Sequence, residues 1–285
     1  MKHAFVILAH KNPTQLMWMI SALQSENSCF FVHIDQKSGM LSFLQSMIEF
    51  PSNVRICEKR INVSWGGFSM VEATLYLMKM VCDSGIMPDY VHLLSAQDFP
   101  LCSLQIIDDA FEEQYGKNFI NCFTMPMNEW ANNGGMDRIN YQWDTETGNK
   151  KVKTKLEFRS FPEGLQPYGG SQWWSLTFKC VEWLNKVCRP GDLLYDFYKN
   201  TLIPDEMFFQ TAIMHSSFVE TVENNNFRYY DWNSGPEYPR VLTNEDWYKL
   251  INSGKLFARK FDINKDQTIL KRLFEYIKSH DYASQ

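Results

Sequence analysis

The sequence predicts an α/β fold built on a parallel sheet that helices cover on both faces. Solid apolar runs of strand length recur through the first third of the chain. Between them lie stretches with apolar residues at helical spacing. Strands that are apolar throughout, rather than alternating, belong to sheets buried on both sides.

"HAFVILAH" reads as the first strand. Asn12-Pro13 then signals a helix start, and "TQLMWMISALQS" continues it. "CFFVHID" is a second strand ending at Asp35, with a helix near "MLSFLQSMIE". "VRICEK" is a short third strand. "SWGGFSMVEATLYLMKMVCDSG" is a turn and a long helix, with Gly85 just past its end. "YVHLLSAQDFP" is a fourth strand, stopped by Pro100. Residues 116–170, with "NNGGMD" and "ETGNKKVKTK", read as an irregular insertion or loop. From Gly169 the chain turns aromatic in "YGGSQWWSLTF", before a helix "KCVEWLNKV". "NNFRYYDWNSGPEYPRVL" is turn-rich, and "NEDWYKLINSGKLFARKFD" is a helix, a glycine stop and a return to the core. "DQTILKRLFEYIKSH" is a closing amphipathic helix. A length of 285 residues allows one large α/β domain or two small ones.

Composition excludes several classes. The net charge is −5 and no basic block is present, which argues against a nucleic-acid partner. The 7 cysteines are odd in number and form no CxxC pair, as expected of reduced thiols in a cytosolic protein rather than a zinc site. No apolar run approaches membrane-spanning length, and "MKHAFVILAH" lacks a signal-peptide pattern. The 9 tryptophans fit either a thick core or surfaces on which sugar rings stack.

In open parallel sheets, ligands bind beyond the carboxyl ends of the strands. Here those ends carry His10, Asp35, Ser64-Trp65 and the "SAQDFP" loop. An acid at the end of the second strand is placed to bind ribose hydroxyls. No GxGxxG or GxxxxGK[ST] occurs, so neither a dinucleotide site nor a P-loop is supported. The segment "TLIPDEMFFQTAIMH" sets Asp205 and Glu206 in an apolar surround. Acids after a proline suit a helix start, and a carboxylate there also suits a catalytic base. Trp173, Trp174, Tyr229, Tyr230 and Trp232 suit either sugar stacking or the core. Gly169 and Gly170 permit close backbone approach or a plain turn.

Several segments fall in one order: "FVHID", "SWGGFSMVEATL", "LLSAQDFPL", "GGSQWWSL", "IPDEMFF", "YYDW…PRVL" and "KLFARKFD". Together they resemble the core-2/I-branching β-1,6-N-acetylglucosaminyltransferase family, which includes the protein xylosyltransferases. The resemblance spans roughly residues 3–265. It implies a GT-A-like nucleotide-sugar-binding fold with a mixed, mostly parallel central sheet flanked by helices. It also implies one domain over 1–285, with a nucleotide-binding half to 115 and an acceptor and catalytic half from 116. The implied reaction moves a sugar, N-acetylglucosamine foremost, from a UDP-sugar to a glycan hydroxyl with inversion and β linkage. Glu206 is then the base, and Arg240 and Lys260 match basic residues that meet the diphosphate. His10 and Asp35 are candidates for the uridine, and Arg138, Trp173 and Tyr229 for the acceptor. "SAQDFP" stands where a DxD metal motif would lie, so no metal or other cofactor is expected, with Asp98 and the Asp144–Glu146 loop the fallback ligands. A chain starting at its first strand suggests a compact bacterial-like member acting in the cytoplasm, at the inner membrane surface on a lipid-linked glycan. A non-catalytic carbohydrate- or nucleotide-binding protein on a transferase scaffold is the competing reading.

Overall fold

The computed structural model describes residues 1–47, 50–145, 154–235 and 239–282. In chain order the first half comprises β1 (His3–Ala9), α1 (Pro13–Ala22), β2 (Ser28–Ile34), α2 (Met40–Met47), β3 (Val54–Ile56), α3 (Ser69–Asp83), β4 (Tyr90–Ser95), β5 (Asp98–Pro100), α4 (Leu104–Glu113) and β6 (Asn118–Thr124). There follow α5 (Ala131–Gly134), β7 (Tyr141–Asp144), β8 (Thr154–Phe158), β9 (Tyr168–Thr177), α6 (Phe178–Val187), α7 (Leu193–Tyr198), α8 (Phe208–Met214), β10 (Val222–Glu223), β11 (Arg228–Tyr229), α9 (Trp247–Ile251), β12 (Phe257–Arg259) and α10 (Gln267–Tyr282).

Seven strands form the main sheet in the order β10-β6-β9-β4-β1-β2-β3. β1 pairs in parallel with β2 and β4, β2 with β3, and β10 with β6, while β9 runs antiparallel between β4 and β6. The sheet is thus mixed, mostly parallel and flanked by helices. The solid apolar runs have a simple cause. Along β1, Phe5, Ile7 and Ala9 enter one core with residues of α1, α4 and α10, and Ala4, Val6 and Leu8 enter the other with α3, α6 and α8. Both faces are buried, so both sets are apolar.

The chain departs from its sequence reading in three places. "YVHLLSAQDFP" is two strands rather than one. The Asp98 carboxylate accepts the Ser95 N–H and closes a turn between them. β5 then joins a separate three-stranded sheet, β11-β12-β5, and ends at Pro100, which pairs with Phe257. Residues 116–170 are not an irregular loop throughout: β6 lies in the main sheet and β7 pairs with β8. Gly169 and Gly170 lie inside β9, opposite Phe123 and Cys122 at a bulge in β6. A Cβ on Gly170 would fall 1.8 Å from the Asn121 carbonyl oxygen, so strand-to-strand approach accounts for that glycine. All seven cysteines are free thiols.

A polar chain runs through the buried sheet. Arg228 Nη1 donates to Ser175 Oγ at 2.8 Å, and Ser175 Oγ lies 2.8 Å from His92 Nδ1. His92 Nε2 lies 2.8 Å from His3 Nδ1, and His3 Nε2 lies 2.6 Å from Asp108 Oδ1. One assignment satisfies every link. Ser175 donates to His92 Nδ1, His92 Nε2–H donates to His3 Nδ1, and His3 Nε2–H donates to Asp108. Burial, then the neighbouring His3 and Arg228, hold His92 well below the ordinary histidine value. Burial likewise lowers His33 to about 4. At these two histidines the unfolded chain therefore binds protons that the folded chain refuses, so their contribution to stability falls as pH drops below about 6.5. The urea-midpoint advantage of the unchanged protein over His92→Phe should narrow from about pH 7 to about pH 5, with the variant less stable at both. An advantage of equal size at both pH values would contradict the lowered His92 pKa.

Candidate active site

A cleft of about 1290 Å³ opens beyond the carboxyl ends of β1, β2 and β4. One wall carries His10, Asp35, Lys37, Ser95 and Gln97. The other carries Arg138, Trp130, Trp173, Asp205 and Glu206, and Arg259 and Lys260 close one side. Strand register explains the first wall. β1 is parallel to both neighbours, with Leu8 aligned to His33 and Ser95, so three strand ends finish level.

Asp35 is held by its own turn. Its N–H donates to the Ala9 carbonyl at 2.8 Å, and its Oδ1 accepts the Lys37 N–H at 2.9 Å. Arg60 clamps the same turn, with Nε donating to Ile34 O at 3.1 Å and Nη2 reaching the carbonyls of Asp35 and Ser38. His10 stands at the rim, where partial burial and then the Lys11 charge lower its pKa.

The acidic pair sits on a different device. Ile203 has φ 52°, rare for a β-branched residue, and its N–H donates to Gly66 O at 2.9 Å. Pro204–Glu206 forms a short 3-10 turn, and α8 begins after it at Phe208. Glu206 is thus on the turn before the helix rather than in its first turn. Its Oε2 accepts from Arg138 Nη1 at 2.7 Å, and the Arg138 guanidinium lies 3.9 Å from the centre of the Trp130 ring. Asp205 is buried, and its Oδ1 has no hydrogen-bond partner among the described residues. Burial, then the Glu206 charge beside it, push Asp205 up to about 7.

On the remaining side, Arg259 Nε donates to Asp98 Oδ1 at 2.9 Å, and its guanidinium lies 4.3 Å from the Trp173 ring centre. Burial raises the Asp98 pKa, with Arg259 opposing it. Lys260 lines the cleft and its carbonyl accepts the Leu242 N–H at 2.8 Å. The peptide bond between Arg259 and Lys260 is cis.

The cleft gathers His10, Asp35, Arg138, Trp173, Glu206 and Lys260. It does not gather Arg240 or Tyr229. Arg240 donates from Nη2 to Asp246 Oδ1 at 2.6 Å and from Nε to Asp231 Oδ2 at 3.1 Å, so carboxylates occupy its guanidinium. Tyr229 lines a smaller neighbouring cavity. Asp98 is taken up by Arg259 and the Ser95 N–H, Asp144 ends β7, and Glu146 lies outside the described residues. Sequence reading passed over Arg259, although it stands directly before Lys260 in "FARKFD". It also passed over Trp130 and did not count Trp65 among its site residues. Trp65 and Trp232 line the cleft while 68% and 49% exposed, which is unusual for tryptophan.

A sequence profile of the Core-2/I-branching enzyme family matches residues 3–252. The chain belongs to that family. Xylosyltransferase oxt of Drosophila pseudoobscura pseudoobscura is 26% identical over 285 residues, covering 92% of this chain and 32% of that protein. Human xylosyltransferase 1 is 28% identical over 299 residues, covering 96% of this chain and 30% of that protein. The chain thus spans about a third of the length of these family relatives. Among solved structures, apo mouse xyloside xylosyltransferase 1 superposes with a TM-score of 0.44 at 12% identity, over 90% of this chain and 96% of that one.

The Asp205 carboxylate offers a direct test of the site's electrostatics. Its folded pKa lies above the unfolded value of 3.8, so the folded chain is penalised increasingly as pH rises towards 7. Asp205→Asn should therefore stabilise the protein by on the order of 2 kcal/mol at about pH 8, and by clearly less at about pH 4.5. Denaturant titrations of both proteins measure this. An equal gain at both pH values would show that Asp205 titrates normally.

Proposed function

We propose that this chain is an inverting, GT-A-type glycosyltransferase that transfers a sugar from a UDP-sugar to a glycan hydroxyl. The carrying observation is the Glu206 carboxylate, pinned at 2.7 Å by Arg138 in the cleft that His10, Asp35 and Lys260 also line. The strand ends at His10 and Asp35 receive the uridine, with Asp35 on the ribose hydroxyls. Lys260 and Arg259 offset the charge of the diphosphate. Arg240 acts at one remove. By joining Asp231 to Asp246, it fixes the residue next to Trp232, and Trp232 lines the cleft.

The reaction is a single displacement. The acceptor oxygen forms a bond to the anomeric carbon as the bond from that carbon to the diphosphate oxygen breaks. The acceptor proton passes to Glu206 through Oε1, the oxygen outside the Arg138 bond. Inversion turns an α-linked donor into a β-linked product. Arg138 orients the base, and Trp173, beneath Arg259, walls the acceptor side. N-acetylglucosamine is the proposed sugar, and the xylosyltransferase relatives make UDP-xylose the first competitor to compare.

Glu206→Gln should bind UDP as the unchanged protein does and lose roughly 10²-fold or more in transfer. UDP release from a panel of UDP-N-acetylglucosamine, UDP-xylose, UDP-glucose and UDP-galactose reads the rate, and calorimetry with UDP reads the affinity. Near-normal turnover in the glutamine variant would place the base elsewhere.

A further inference from the structure

A second cavity of about 350 Å³ lies beside the cleft. The two share Asn121, Asn224 and Tyr230, so a ligand reaching past the cleft enters this space. Its lining carries two cations, Arg228 and Lys255, and no carboxylate. The chain as a whole has a net charge of −5. The nearby acids are already matched: Asp98 by Arg259 at 2.9 Å, and Glu223 by Lys117 at 3.1 Å.

Arg228 is 3% exposed and rigidly held. Its Nη2 donates to the carbonyls of Trp174 at 2.8 Å and Leu93 at 3.2 Å, its Nη1 joins the buried chain through Ser175, and its Nε has no partner among the described residues. Burial lowers its pKa only to about 10, so it stays charged near neutrality. Lys255 Nζ uses one of its three N–H groups on Asn225 Oδ1 at 3.0 Å. Positive charge in a polar recess without a matching carboxylate favours an anion, and amides with the Tyr229 ring suit a pyranose.

We propose that this cavity binds an anionic substituent, a carboxylate or a phosphate, on a sugar next to the one that accepts the transferred residue. The proposal rests on the glycosyltransferase reading and narrows its acceptor class. Lys255 makes the direct contact, Arg228 supplies fixed background charge, and Tyr229 packs against the ring. Tyr229 thus reaches the acceptor from a neighbouring space rather than from the cleft.

Calorimetry on the full chain saturated with UDP, using glucuronate, glucose 6-phosphate and glucose as probes, tests this. At least one anionic sugar should bind about tenfold or more tightly than glucose, and the comparison between the two identifies the preferred anion. Lys255→Gln should abolish that advantage and leave UDP affinity unchanged. The idea is wrong if neither anion outbinds glucose, or if the advantage survives in Lys255→Gln. Failure to bind UDP would instead count against the glycosyltransferase reading, and the same probes without UDP would still decide the anion site.

Discussion

One buried ion pair lies between neighbouring strands of the three-stranded sheet, where that sheet meets the main one. Asp98 is 1% exposed, sits in β5 just past the end of β4, and receives Arg259 from β12. Taking both charges out of water costs several kcal/mol, so the pair contributes little net stability. Removing one partner would strand the other, at roughly 3–5 kcal/mol. What the pair determines is placement. It sets the register of β12 against β5, lays the Arg259 guanidinium over Trp173 of β9, and brings Lys260 to the cleft. The Gln97 carbonyl accepts the Phe261 N–H at 2.8 Å and secures the next residue along.

The site follows from two unlike supports. The level ends of β1, β2 and β4 offer Asp35 and His10 on a rigid edge, as parallel register dictates. The facing wall depends on a turn that no regular element holds, with Ile203 in the left-handed region and tied to Gly66. That turn places two carboxylates side by side and resolves them by environment. Glu206 meets Arg138, while Asp205 is buried and holds its proton more tightly than an ordinary aspartate. Different surroundings assign adjacent acids different roles.

Much of this was legible in the residues. Solid apolar runs marked β1, β2 and β4, because burial on both faces leaves no polar alternation. The "IPDEMFF" segment announced a carboxylate where apolar residues were otherwise needed. Other features depend on contacts across long sequence separations, which local pattern does not carry. Gln15 looks like a surface residue of α1, yet it is buried and binds the carbonyls of Ala96 and Phe261. Arg240 matches a family motif, yet its charge is spent on Asp231 and Asp246. The break between β4 and β5 hangs on the Asp98 carboxylate capturing a backbone N–H, a bond that composition does not reveal. The small cavity around Arg228 and Lys255 is likewise an outcome of β11 and the segment before it lying against Asn121 of β6 and Lys255.

The account turns on protein cations, set by the Asp98–Arg259 pair, meeting the diphosphate. The most direct measurement is UDP affinity in EDTA, compared between the unchanged chain and Lys260→Ala. The account predicts binding that persists in EDTA and weakens by about tenfold or more in Lys260→Ala, with no rescue by Mn²⁺ or Mg²⁺. UDP binding that vanishes in EDTA and returns with Mn²⁺, whatever stands at position 260, would contradict it.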